Sequence, residues 1–226
     1  MRQPAEVASS GISKAQRASL IETPSALDQL IAAMKACRVC RDAPLGKPLP
    51  HEPRPIFVAS AEAKILIASQ APGIRAHLSG VPFMDPSGVR LRQWLGVDEA
   101  RFYDTRNFAI LPMGFCFAGH DAQKGDLPPR RECAPIWRKP ALDLMPAIQL
   151  ILVIGIHAHQ YHLGRGTSMT EMVRNWRAIL HASSGPPGLP LPHPSWRNSG
   201  WLKKNPWFEI ELLPELQAQV ENLIAY

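Results

Sequence analysis

The sequence predicts an α/β protein: three layers, helices on both sides of a central, mostly parallel four-stranded sheet. Three observations predict it. Apolar runs of strand length alternate along the chain with segments of helical periodicity, the pattern of a parallel sheet connected through helices. The runs end in turn signals, Ser69-Gln70-Ala71-Pro72-Gly73 after one and Gly155 after another. Among 226 residues, 46% are apolar and 19% charged, which supports one sizeable core and excludes disorder throughout.

The elements follow in order. Residues 1–24 are rich in Ala, Ser, Gln and Arg and carry no apolar stripe, so a flexible N-terminal tail is expected over 1–24 and a single domain over 25–226. The first 20 residues lack the apolar region of a signal peptide, and no apolar run approaches the ~20 residues of a membrane span. The chain therefore reads as cytoplasmic, with no membrane partner, and its cysteines as ligands or free thiols rather than disulfides. From Ser25, a plausible N-cap, Leu27, Leu30, Ile31 and Met34 recur at helical spacing. This helix runs into Cys37-Arg38-Val39-Cys40, and the proline-rich stretch 44–55 that follows is too punctuated for regular structure. Residues 64–68 read as a buried strand. Residues 86–95 read as a helix with Leu91, Trp94 and Leu95 on one face and Gly96 as its stop. A second strand is expected at 108–111, a helix interrupted by Pro140 at 131–145, and a third strand at 149–154. An amphipathic helix at 169–180, a short fourth strand at 189–191 and a last helix at 206–225, kinked at Pro214, complete the chain.

In an open α/β sheet, ligands bind beyond the carboxyl ends of the strands. Three loops of unusual composition leave such ends: 70–88, 112–131 and 192–198. Parallel strands would bring all three to one crevice. The chain carries 25 Lys+Arg against 19 Asp+Glu, a net charge of +6, which suits a polyanionic partner. No glycine-rich phosphate loop is present, so no nucleotide cosubstrate is implied.

Two of these loops carry a resemblance. The register Gln70-Ala71-Pro72-Gly73, then Gly80-x-Pro82-Phe83, resembles the first motif of the uracil-DNA glycosylase superfamily, most closely its iron–sulfur type (family 4), in which the motif reads Gly-Glu-Ala-Pro-Gly followed by an acidic pair and Gly-x-Pro-Phe. His193-Pro194-Ser195 is similar to the second motif, and the two stand in the expected order, each after a strand. The resemblance implies a DNA repair glycosylase that flips a deaminated base, uracil foremost, out of single- or double-stranded DNA and hydrolyses its N-glycosidic bond. His193 would stabilise the charge developing on the leaving base. Phe83 would stack on the base, and Gln70 with the amides of Ala71 and Gly73 would line its pocket. Ser195, Trp196 and Arg197 would meet the DNA backbone and the base stack, and Arg130 and Arg131 could add phosphate contacts. There are departures. The first motif holds no water-activating carboxylate. Ala76-His77 stands where the family-4 acidic pair is expected, leaving His77 and Asp85 as the nearest general bases, the latter also placed to cap the next helix. The family's pocket asparagine has no clear equivalent, Asn107 being the nearest. These gaps keep open an alternative, a damaged-base or abasic-site DNA-binding protein on the same scaffold without turnover.

All four cysteines fall in one layout, Cys37-x2-Cys40 and then Cys116-x16-Cys133. This layout resembles the family-4 pattern of iron–sulfur ligands. It implies a structural 4Fe-4S cluster pinning the first helix to the loop that ends at Cys133, with tetrahedral zinc as the alternative for four thiolates. His157, His159 and His162 carry no adjacent carboxylate and do not share one helix face, so they read as structural. Trp201, Lys203, Lys204 and Trp207 suit either a DNA groove or the packing of the last helix.

Overall fold

The structure, a computed structural model, describes residues 24–123, 125–182 and 185–224. The tail expected over residues 1–24 lies, but for Pro24, outside them. The chain opens with α1 (Ala26–Lys35), whose first turn is closed by a reciprocal cap: the Ser25 side chain accepts from the Asp28 amide and Asp28 accepts from the Ser25 amide. α2 (Val39–Asp42) is a single turn that holds Cys40. β1 (Ile65–Ala68) follows the proline-rich stretch. Then come α3 (Ile74–Ser79), α4 (Pro86–Leu95), α5 (Glu99–Tyr103), β2 (Phe108–Ile110) and α6 (Cys133–Asp143), with Pro140 inside the last. β3 (Leu150–Ile154), α7 (Ile156–His162), α8 (Met169–Arg174), α9 (Trp176–Ala182) and β4 (Gly188–Leu191) lead to a 3-10 turn (Trp196–Asn198), α10 (Ser199–Lys204), a π-helical turn (Phe208–Leu212) and α11 (Leu213–Ile224).

The four strands form one sheet in the order β2-β1-β3-β4, and every pairing is parallel. The predicted three-layer α/β architecture is the one observed. Register explains why the strands are uninterrupted apolar runs. Ile65 and Ile67 of β1 face a core built with Leu91, Trp94 and Leu95 of α4, Phe102 of α5, Phe208 and Leu212 of the π turn, and Leu216 and Val220 of α11. Leu66 and Ala68, one residue out of phase, face the opposite layer, with Leu27 and Met34 of α1 and Ala141 of α6 against the first and Ala158 of α7 against the second. The outer edge of β2 is closed by Val58, which exchanges two backbone hydrogen bonds with Ile110 at 2.8 and 2.9 Å.

Three departures from the predicted elements have local causes. The single helix expected over 169–180 breaks at Asn175 into α8 and α9, and both Val173 and Trp176 are buried in the core. The kink expected at Pro214 is preceded by the π-helical turn, which widens the coil just where Pro214 has no N–H to donate and its ring crowds the carbonyl of Ile210. The helices α3, α5 and α10 are of five or six residues, too short for a period to show in sequence. No helix among the described residues is long and apolar enough to cross a membrane.

Candidate active site

Because every strand runs the same way, the segments after β1, β2 and β4 emerge at one end of the sheet, and a cavity of about 70 Å³ lies between them. Its wall includes Ser69, Ala71, Pro72 and Gly73 after β1, Pro82, Phe83, Asp85 and Ser87 before and within α4, Pro112 after β2, Asp126, and His193 after β4. The volume is far below the ~300 Å³ of a small drug-sized pocket.

The first wall continues the sheet. The amides of Met113 and Gly114 donate to the carbonyls of Ser69 and Gln70 at 2.8 and 2.9 Å, which fixes the backbone just past β1. Ala71 and Gly73 then face the cavity as expected. Gln70 does not. Its side chain packs over Gly155, where an added Cβ would lie 3.1 Å from the Gln70 Cδ, because the chain leaving β1 points it across toward β3.

Phe83 is the one non-glycine residue with positive φ, at 57°, among the described residues. That left-handed conformation costs about 1–2 kcal/mol and is held from several sides. A Cβ on Gly88 would sit 1.7 Å from the Phe83 carbonyl oxygen, so only glycine permits the approach of α4. The Phe83 ring stands edge-on to Phe102 at 6.2 Å, and Tyr103 Oη donates to the Pro82 carbonyl at 2.9 Å. Asp85 caps α4, its Oδ1 accepting from the Gly88 amide at 2.9 Å, and it also borders the cavity.

His193 closes the opposite side. The Ser195 amide donates to its Nδ1 at 3.2 Å, which leaves the proton on Nε2 and makes that nitrogen a donor. Burial pushes the imidazole pKa down, against the opposing pull of the Asp85 and Asp126 charges, so the ring is held neutral. The loop itself is anchored: Asn198 Nδ2 donates to the His193 carbonyl at 2.7 Å, and Arg90 of α4 donates to the Ser195 carbonyl at 3.0 Å and the Ser199 hydroxyl at 3.3 Å. Trp196, next in the chain, is 75% exposed, with the Arg197 guanidinium 5.9 Å from its ring centre.

Besides Gln70, the structure moves three expected residues away from this cavity. Asn107 precedes β2 and so lies at the amino end of the sheet, where its Nδ2 donates to the Arg101 carbonyl at 3.3 Å. His77 points into an imidazole and aromatic cluster with His51 at 4.4 Å and Phe117 at 5.8 Å, and burial lowers its pKa. Arg130 turns inward, donating to the Lys47 carbonyl and to Glu132 at 2.8 Å each. Arg131 stays exposed on a separate, larger groove of about 770 Å³ whose wall also includes His157, Gln160, Tyr161 and Arg165. His159 is structural: its Nε2 lies 2.9 and 3.1 Å from the carbonyls of Val153 and Leu191, where β3 and β4 end. Trp201 and Trp207 pack against the core, while Lys203 and Lys204 are exposed. Two residues that border or brace the site, Asp126 and Arg90, stand outside every motif.

None of the four cysteines is in a disulfide, and Cys40, Cys116 and Cys133 are buried. They lie within electrostatic reach of one another: burial first, then the charges of Cys40, Cys116 and Cys37, pushes the Cys133 thiol up. The Phe115 amide donates to Cys133 Sγ at 3.4 Å, and the Arg130 guanidinium neighbours Cys40. Donor type and number fit a four-thiolate centre. A single zinc ion with Zn–S of about 2.3 Å would draw its sulfurs to about 3.8 Å of each other. Among the described residues, no three His, Cys, Asp or Glu side chains are grouped to hold one metal ion.

The model of the family described as "Uracil DNA glycosylase superfamily" matches residues 55–217, which span β1 through the start of α11 and include both walls of the cavity.

Proposed function

The chain belongs to the uracil DNA glycosylase superfamily, and we propose that within it the protein is a monofunctional glycosylase that flips a deaminated base, uracil foremost, into the 70 Å³ cavity and hydrolyses its N-glycosidic bond. The observation that carries this reading is the fixed tautomer of His193. With Nδ1 occupied by the Ser195 amide, the neutral ring carries its proton on Nε2, and His193 borders the cavity. A neutral donor strengthens its hydrogen bond as O2 of the departing base gains charge, so it stabilises the transition state more than the bound substrate. Phe83 offers the stacking face, and the amides of Ala71 and Gly73, with Pro72 between them, offer the donors available to the base edge.

Exposed Trp196 would enter the base stack, Arg197 beside it would meet a phosphate, and Arg131 and Arg165 on the separate groove would meet others. The four cysteines would hold a structural 4Fe-4S cluster, whose ligand type and number they match. When bound, the cluster supplies no step of hydrolysis. Cys37 and Cys40 beside α1 and Cys133 at the start of α6 would be tied through it. Purified aerobically and quickly, the protein should be brown and carry about four iron atoms per chain. A colourless protein with about one zinc would replace the cluster by the single-ion alternative.

The absence of a carboxylate in residues 69–73 favours a second reading, a protein that binds damaged bases or abasic sites without turnover. Cleavage and gel-shift assays side by side separate the two, with single- and double-stranded oligonucleotides carrying uracil, hypoxanthine, xanthine or an oxidised pyrimidine. Excision of at least one base supports the glycosylase. Tight, lesion-selective binding with every substrate intact supports the second reading.

A further inference from the structure

Hydrolysis of the bond needs a water oxygen at C1′ and somewhere for its proton to go. The first-motif loop, Ser69-Gln70-Ala71-Pro72-Gly73, offers no carboxylate. The cavity is nevertheless bordered by two, Asp85 and Asp126. Asp85 is engaged in capping α4 through Oδ1. Asp126 comes from the long loop between β2 and α6, which folds back so that His120 and Asp126 pair through their backbones. His120 Nδ1 lies 3.2 Å from Asp126 Oδ1. The other oxygen, Oδ2, lies 3.4 Å from the point where a Cβ on Gly73 would stand. The carboxylate therefore rests against the very loop that lacks one, and Gly73 leaves it room.

We infer that Asp126 is the catalytic base of this chain, supplied in trans of the motif by the β2–α6 loop, with His120 as its positioning residue. The inference rests on the glycosylase reading of the cavity. In the step it assigns, the C1′–N bond breaks and its electron pair leaves with the base, whose O2 accepts a hydrogen bond from His193 Nε2. The water oxygen bonds to C1′, and its proton passes to Asp126. The products are the free base, which takes its proton from solvent, and an abasic deoxyribose. The Asp126 charge also faces the cationic character that the sugar develops as the bond lengthens, which is stabilisation of the same transition state.

Two measurements on the full chain test this. In single-turnover excision from uracil-containing single strands, Asp126→Asn should lower the rate on the order of 10²-fold or more, as loss of a general base does. In equilibrium binding, the wild type should prefer DNA carrying a cationic pyrrolidine abasic analogue over the neutral tetrahydrofuran analogue, and Asp126→Asn should abolish that preference while binding the neutral analogue as before. The second measurement needs no turnover. A wild type that excises nothing yet loses its cation preference in Asp126→Asn sinks the glycosylase reading and leaves the placement of Asp126 standing. An Asp126→Asn enzyme that excises at the wild-type rate, or that keeps the wild-type cation preference, overturns the inference.

Discussion

A methyl group added to Gly88 would sit 1.7 Å from the Phe83 carbonyl oxygen, and that contact decides the shape of the stacking wall. Gly88→Ala should destabilise the protein by at least the ~1–3 kcal/mol of an overfilled core, read as a shift of the denaturant midpoint. Any soluble fraction should have lost base stacking with the displaced Phe83. Trp196 presents the opposite case. It is 75% exposed, so Trp196→Ala should change stability by less than ~0.5 kcal/mol and yet slow excision from duplex more than from single strands, because only duplex requires a base to be pushed from its stack. Equal slowing on both substrates would remove the wedge role. At His193 the sign of the pH effect is fixed by geometry. The competent ring is neutral, its Nδ1 accepting from the Ser195 amide, and burial lowers its pKa below the ordinary ~6.5. The excision rate should stay flat as pH falls through that ordinary range and drop only in more acid solution. A drop centred at or above pH ~6.5 would show that the ring is not held neutral.

At the scale of elements, α6 and α7 meet at Arg138. This arginine is almost fully buried, donates from Nε to His162 Nε2 at 2.8 Å and from Nη1 to the Leu111 carbonyl at 2.8 Å, and lies 5.6 Å from the centre of the Tyr161 ring. Burial, then the neighbouring Arg138 charge, pushes the His162 pKa down to about 3. The unfolded chain protonates His162 near pH ~6.5, and the folded chain does so only near 3. Between those values the unfolded state holds the extra proton, so stability falls on acidification, by at most about 1.4 kcal/mol per pH unit from this group. His162→Gln, which keeps an acceptor for Arg138, should flatten the acid limb of a stability-against-pH curve. An unchanged limb would place the loss elsewhere.

The strands and α4 were legible in the sequence because their signals are local. β1, β2 and β4 are buried on both faces and β3 nearly so, and α4 carries its own start and stop in Asp85, Pro86 and Gly96. Two strands' carboxyl ends also gave Ala71, Gly73 and His193 their correct side of the molecule. Gln70 and Asn107 were misread for a reason of direction. For Gln70, a place beside a strand does not tell which way the side chain leaves; Asn107 precedes the strand expected at 108–111 and so stands at its amino end, which chain order alone already gives. Asp126 was invisible for a different reason. Its contact with Gly73 joins positions 53 residues apart (126 − 73) through a loop with no periodicity, and only the fold brings them together.

For the whole molecule, the net charge of +6 is the sum of unlike parts. Arg138 is buried, and Arg130 is committed to Lys47 and Glu132. Arg131 and Arg165 remain on the 770 Å³ groove, and Arg197 beside Trp196 at the exposed turn. Replacing any one of these three by Ala should weaken DNA binding across sequences and reduce the salt-dependence slope by about one. Arg130→Ala should instead destabilise the fold around the cysteines, since it leaves the buried Glu132 without its cation. The claim on which the rest depends is that this cavity breaks a glycosidic bond with His193 as the donor to the leaving base. The direct measurement is alkali-revealed cleavage of a uracil-containing oligonucleotide at single turnover, by the wild type and by His193→Ala. Cleavage by the wild type, slowed on the order of 10²–10³-fold in the variant as for loss of a transition-state donor, is the predicted result. Equal rates, or an intact oligonucleotide with both proteins, would contradict it.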